Sequence, residues 1–89
     1  MMSTHTIELL GTEGCHLCEE AQLILHDVVR QTGVAVQLVD IAEQSNSEVL
    51  IERYGLRIPV LRSQQRELDW PFGVEQVLQW VQRRAIGEG

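Results

Sequence analysis

The sequence contains no lysine, only two cysteines and two prolines, and just four aromatic residues: Tyr54, Trp70, Phe72 and Trp80. All of its positive charge rests on seven arginines against thirteen acidic residues, giving a net charge of −6. Nucleic acid and anionic membrane surfaces are bound by clustered cations, so neither partner is expected. The one basic pair, Arg83–Arg84, suits the negative end of a helix instead. No apolar run approaches the roughly 20 residues of a membrane span. Met1-Met2-Ser3-Thr4-His5 has neither the basic start nor the apolar centre of a secretory signal, so a cytoplasmic protein is expected. Two cysteines are too few for the disulfide framework of a small secreted scaffold. A lone close pair in a reducing compartment points to redox chemistry or to metal.

What is present suffices for one core. Of 89 residues, 44% are hydrophobic and spread along the chain, which suits a single domain over residues 1–89 and demands no more than a monomer. Thr6 to Leu10 reads as a strand halted at Gly11. From about His16 to Thr32, Ala21, Ile24, Leu25 and Val28 recur at helical spacing, and Gly33 is placed to close that helix. Val34 to Val39 is expected as a buried strand. Ser45 with Glu48 fits a capping box before a short helix through Val49, Leu50 and Arg53 that ends at Gly55. Leu56 to Leu61 is expected as a strand opened by Pro59, and Glu67 to Trp70 as its hairpin partner across Ser63-Gln64-Gln65-Arg66. Val74, Val77, Leu78 and Val81 mark a last amphipathic helix, with Trp80 flanking the core. The order β-α-β-α-β-β-α predicts an α/β fold. Its four-stranded mixed sheet would carry helices on both faces, with a right-handed crossover joining the first two strands.

The chemistry concentrates at Cys15-His16-Leu17-Cys18, directly after a strand and a glycine turn. A thiol in a first helical turn meets unpaired backbone N–H groups and the positive dipole end, both of which favour the thiolate. Cys18 lies three residues on, within reach of a disulfide. Cys15 is then the expected nucleophile and Cys18 the resolving thiol. His16 is a candidate for tuning the Cys15 pKa, while Glu13, Glu19 and Glu20 oppose the thiolate, so only a moderate depression is expected. Structural zinc needs four ligands. Beyond the cysteine pair only His5, His16 and His26 remain, so no metal is expected.

The run from Leu9 to Ala21, with Gly14-Cys15-His16-Leu17-Cys18 at its centre, resembles the first strand, active-site loop and helix of small bacterial glutaredoxin-like proteins. Val39-Asp40-Ile41, Arg53-Tyr54-Gly55, Ile58-Pro59-Val60-Leu61 and Glu67-Leu68-Asp69-Trp70-Pro71-Phe72 follow in that family's order. The resemblance implies a thioredoxin-like fold and a cis Ile58–Pro59 bond beside the cysteines. It also implies that the Ile58 backbone contacts a bound substrate and that Pro59 shapes the groove. Trp70 and Phe72 are candidates for an apolar substrate rim, or else for packing beneath the last helix.

Several positions depart from the family pattern. His16 and Leu17 stand where glutaredoxins usually carry proline and an aromatic residue, and Thr12 where a lysine often meets a glutathione carboxylate. Trp70-Pro71-Phe72-Gly73 replaces a Gly-Gly and Asp that bind the rest of glutathione. A dedicated glutathione site and a tightly bound cofactor are therefore not expected, and glutathione stays a candidate reductant. The expected function is thiol–disulfide exchange with a protein or small-thiol disulfide through a Cys15 mixed disulfide. The alternative is a noncatalytic thioredoxin-fold binding module, or a metal- or iron–sulfur-linked protein.

Overall fold

The computed structural model describes residues 6–64 and 66–86, with side chains as far as Gln82. His5, Gln65 and the Arg83 and Arg84 side chains, all invoked from the sequence, lie outside the described residues. The elements run β1 (Thr6–Gly11), α1 (His16–Thr32), β2 (Ala35–Asp40), α2 (Ser47–Tyr54), β3 (Val60–Ser63), β4 (Arg66–Asp69) and α3 (Val74–Ile86). They build one mixed sheet in the order β2-β1-β3-β4. β1 pairs in parallel with β2 and antiparallel with β3, and β3 pairs antiparallel with β4.

Strand alternation sorts the residues of β1 onto two faces. Ile7 and Leu9 join Ala21, Leu25 and Val28 of α1 and Val77, Trp80 and Val81 of α3 in one core. Leu10 turns the other way and meets Leu50 and Tyr54 of α2, with Ile41 and Val60. Helices therefore cover both faces, and β1, paired on both edges, is the buried centre of the sheet. The α1 stripe holds as expected, and Gly33 closes the helix in the left-handed region at φ 76°, its N–H donating to Val29 O at 2.8 Å. Among the described residues no helix is long and apolar enough to cross a membrane.

Four expectations need correction. β2 is an edge strand with one neighbour, and Leu38 is 56% exposed, because α1 leaves that margin of the sheet uncovered. The Ser45–Glu48 capping box does not form: α2 starts at Ser47, and its N-cap is Asn46, which makes no side-chain capping bond. β3 begins at Val60 rather than Leu56, since Arg57 N–H and Ile58 N–H still donate to Tyr54 O at 2.8 and 3.0 Å, at the end of α2. Pro59, with no N–H to give, precedes the ladder. Trp80 is a core residue rather than a flanking one, buried against β1 and α1.

The topology brings four loops to one end of the sheet. β1 and β2 finish there, at Gly11 and Asp40, while antiparallel β3 starts there and β4 ends there. The cysteine loop, Ile41, the Ile58–Pro59 segment and the Trp70–Pro71 segment thus share one rim. Ile41 N–H donates to Gly11 O at 2.9 Å and Trp70 N–H to Pro59 O at 3.2 Å, tying these loops in pairs.

Candidate active site

Cys15 is the N-cap of α1, in an extended conformation at φ −86° and ψ 109°. Its sulfur accepts a hydrogen bond from the Cys18 backbone N–H at 3.1 Å, the role a serine or aspartate oxygen plays at ordinary helix starts. That N–H and the dipole of a 17-residue helix are aimed at the atom that would carry the thiolate charge. Cys15 and Cys18 are bonded to each other, their Cα atoms 5.2 Å apart, an ordinary disulfide span. The two cysteines differ in exposure. Cys15 is half-buried, whereas Cys18 is 5% exposed and belongs to the buried stripe of α1.

Gly11 makes room for the inner cysteine. A Cβ at this position would lie 2.8 Å from Cys18 Sγ and 3.3 Å from Cys18 Cβ. Outside the disulfide, Thr12, Glu13, Gln22, Leu38 and Asp40 line a cleft that reaches Cys18 between β1, α1 and β2. His16 is exposed. Its Nδ1 is 3.9 Å from Glu19 Oε1 and its Nε2 3.2 Å from Glu20 Oε2, so the ring leans along the helix toward two carboxylates. Among the described residues no three His, Cys, Asp or Glu side chains gather as metal ligands do.

Across the rim, the Ile58–Pro59 and Trp70–Pro71 peptides are both cis. Pro59 is buried, and Ile58 is half-buried with its N–H committed to Tyr54 O. Of the two aromatic candidates, Phe72 is 4% exposed inside the α1–α3 core, so it serves packing rather than an accessible rim. Trp70 is half-buried and meets Phe72 edge to face, ring centroids 4.9 Å apart.

Behind the Pro59 loop lies a charged network that sequence reasoning missed. Glu8, Arg62 and Glu67 sit side by side across β1, β3 and β4 on the α2 face. Arg62 Nε donates to Glu8 Oε1 at 2.8 Å, and Tyr54 Oη donates to Glu67 Oε2 at 2.7 Å. Arg57, two residues before Pro59, donates to Glu67 at 2.6 Å and to both oxygens of Asp69 at 2.7 and 3.1 Å. These bonds raise the Arg57 pKa and hold the Glu67 and Asp69 carboxyls below their ordinary range, with the Arg57 hydrogen bond the first cause for each acid. The guanidinium groups of Arg53, Arg57 and Arg62 also lie 5.7, 5.1 and 5.7 Å from the Tyr54 ring centre. The network fastens the segment before Pro59 to β4. Its sequence signal was the period-two spacing of Glu67 and Asp69, which puts both acids on one face of β4.

A mixed sheet in this order, helices on both faces and a bonded Cys-x-x-Cys at the first helix start define a thioredoxin-like redox domain. Residues 6–82 match the Glutaredoxin-like domain (DUF836), and the chain belongs to that family. The solution structure of protein Ne2328 from Nitrosomonas europaea is similar, with a TM-score of 0.72 and 24% identity over 90% of this chain and 94% of that one. Thioredoxin 1 of Thermosipho africanus gives a TM-score of 0.67 at 13% identity, covering 91% of this chain and 94% of its own. Thioredoxin-2, described as a component of malaria parasite protein secretion machinery, gives 0.66 at 14% identity, covering 93% and 85%. At these identities the likeness is one of fold. No curated protein matches the sequence. Family, fold and the Cys15–Cys18 bond together support a thiol–disulfide redox role.

Proposed function

We propose that the chain is a dithiol oxidoreductase in which Cys15 attacks and Cys18 resolves. The observation that carries this is the asymmetry of the pair: Cys15 is the more exposed residue and its sulfur accepts the Cys18 N–H at 3.1 Å, while Cys18 is buried. In the reduced form the Cys15 thiolate attacks one sulfur of a substrate disulfide. That S–S bond breaks, and the first substrate thiolate leaves with the electron pair and takes a proton. Cys18, deprotonated, then attacks the Cys15 sulfur of the mixed disulfide, and the second substrate thiol departs. One disulfide is reduced to two thiols, and the protein dithiol is oxidised to the Cys15–Cys18 bond. A thiol reductant closes the cycle by the reverse exchange. Because Ile58 N–H is occupied, we assign the substrate's backbone contact to the Ile58 carbonyl on the Pro59 loop.

Trapping tests the assignment. Cys18→Ser, presented with 2-hydroxyethyl disulfide, should stop at a stable adduct on Cys15, seen by mass as one added thiol. Cys15→Ser should form such an adduct far more slowly. Equal adduct formation in the two variants would refute the division of roles.

A further inference from the structure

Resting on the dithiol reading, we infer that the site selects disulfides flanked by positive charge and disfavours anionic ones, glutathione disulfide included. The inference comes from where the fold places its charges. Glu13 and Asp40 line the cleft that reaches Cys18, and the other polar side chains there, Thr12 and Gln22, carry no charge. Glu19 and Glu20 stand exposed on the first turns of α1, with His16 leaning on both.

Among the described residues, most cations are remote or already engaged. α1 and α3 both leave the cysteine end of the sheet, so Arg30 and positions 83 and 84, near their far ends, lie about 13–21 Å away at about 1.5 Å per residue. Arg30 is also paired with Asp27. Arg62 is bonded to Glu8, and Arg66 donates to Trp80 O and lies over that ring. Arg57, the arginine nearest the Pro59 loop, is matched by two carboxylates. Arg53 adds one exposed cation on that side, and Glu67 feels its charge. Beyond the helix dipole and the Cys18 N–H that serve the Cys15 sulfur itself, the charge an incoming disulfide meets around the pair is that of Glu13, Glu19, Glu20 and Asp40. An anionic disulfide, with a carboxylate a few bonds from each sulfur, approaches against this charge, and among the described residues Arg53, itself beside Glu67, is the one exposed arginine on the Pro59 side to oppose it.

The shared chemistry is a disulfide with neighbouring cationic groups, whether on a small amine or on a basic polypeptide segment. The test is single-turnover oxidation of the pre-reduced protein, which needs no added reductant. The probes are cystamine (dication), 2-hydroxyethyl disulfide (neutral) and 3,3′-dithiodipropionate (dianion), plus peptide disulfides flanked by arginine or by glutamate. Each rate is divided by that of dithiothreitol with the same probe, which removes intrinsic reactivity. At about 0.01 M ionic strength the cationic member of each pair should lead its anionic counterpart by about 10-fold or more. Near 1 M, where the screening length falls to about 3 Å, the gap should shrink toward unity. A lead shown only by the peptide pair places the substrate among polypeptides and still supports charge selection. Glu13→Gln/Glu20→Gln should narrow the ratio measured within the variant, and the wild-type salt dependence stands if that variant fails to fold. Anionic probes reacting as fast as cationic ones, or a lead that grows with salt, would overturn the inference. Failure of every probe, the neutral one included, would instead overturn the dithiol reading beneath it.

Discussion

Gly11→Ala is the substitution that acts most directly on the redox pair without touching a sulfur. The added Cβ would sit 2.8 Å from Cys18 Sγ, about 0.7 Å inside the lower edge of ordinary carbon contact distances. Neither side yields cheaply. Gly11 is the last ladder residue of β1, paired with Asp40, and its carbonyl accepts Ile41 N–H. Cys18 is buried in α1, and in the oxidised form its sulfur is tethered to Cys15. Overpacking of this kind costs about 1–3 kcal/mol. On reduction the Cys18 sulfur is released and can turn to another rotamer, so the penalty falls mainly on the disulfide form. At about 30 mV per 1.4 kcal/mol for a two-electron couple, the potential should rise by about 20–60 mV. Urea unfolding of the oxidised and reduced forms, with a redox equilibrium on the same protein, closes the cycle. An oxidised variant as stable as wild type, or a potential that falls, would refute the argument.

Phe72→Ala should cost about 3–5 kcal/mol in denaturant unfolding if the ring is a core element, and a loss below about 1 kcal/mol would return it to the surface rim. Tyr54→Phe removes the bond to Glu67 Oε2 at 2.7 Å and should cost about 1–3 kcal/mol, since the acceptor is charged; unchanged stability would contradict the bond. Glu67 and Asp69 have folded pKa values held below their unfolded ones by Arg57. Their contribution is complete above the unfolded values of about 4 and is lost as pH falls through the folded ones. Because these groups are partly exposed, it amounts to about 1 kcal/mol or less. Arg57→Gln should accordingly flatten the stability–pH curve below about pH 4, and a curve of unchanged slope there would count against it.

The parts legible in the sequence were those with a local physical signature. The α1 stripe and its αL glycine gave the helix from His16 to Thr32 to the residue, and the Cys-x-x-Cys at its start located the disulfide. Where the outcome depended on neighbours distant in sequence, local signals misled. Val34 to Val39 is apolar enough for a central strand, yet sheet order placed β2 at the edge. Phe72 and Trp70 are two residues apart and looked equivalent, but the turn into α3 buried one more deeply than the other. Tyr54 was noted only within the family segment Arg53-Tyr54-Gly55; its place in the second core went unread because its partners Glu67 and Arg62 come from the hairpin that follows. Ser45–Glu48 matched a capping pattern, but α2 began one residue later than that pattern requires.

The central claim is that Cys15 and Cys18 form a reversible dithiol–disulfide couple. Equilibration of the protein across thiol buffers, with acid quenching, alkylation and counting of free thiols by mass, measures it directly. The account predicts one two-electron transition between zero and two alkylated cysteines, with a midpoint between about −180 and −300 mV. A pair that stays fully reduced or fully oxidised across that range, or that loses its thiols singly to external adducts, would contradict it.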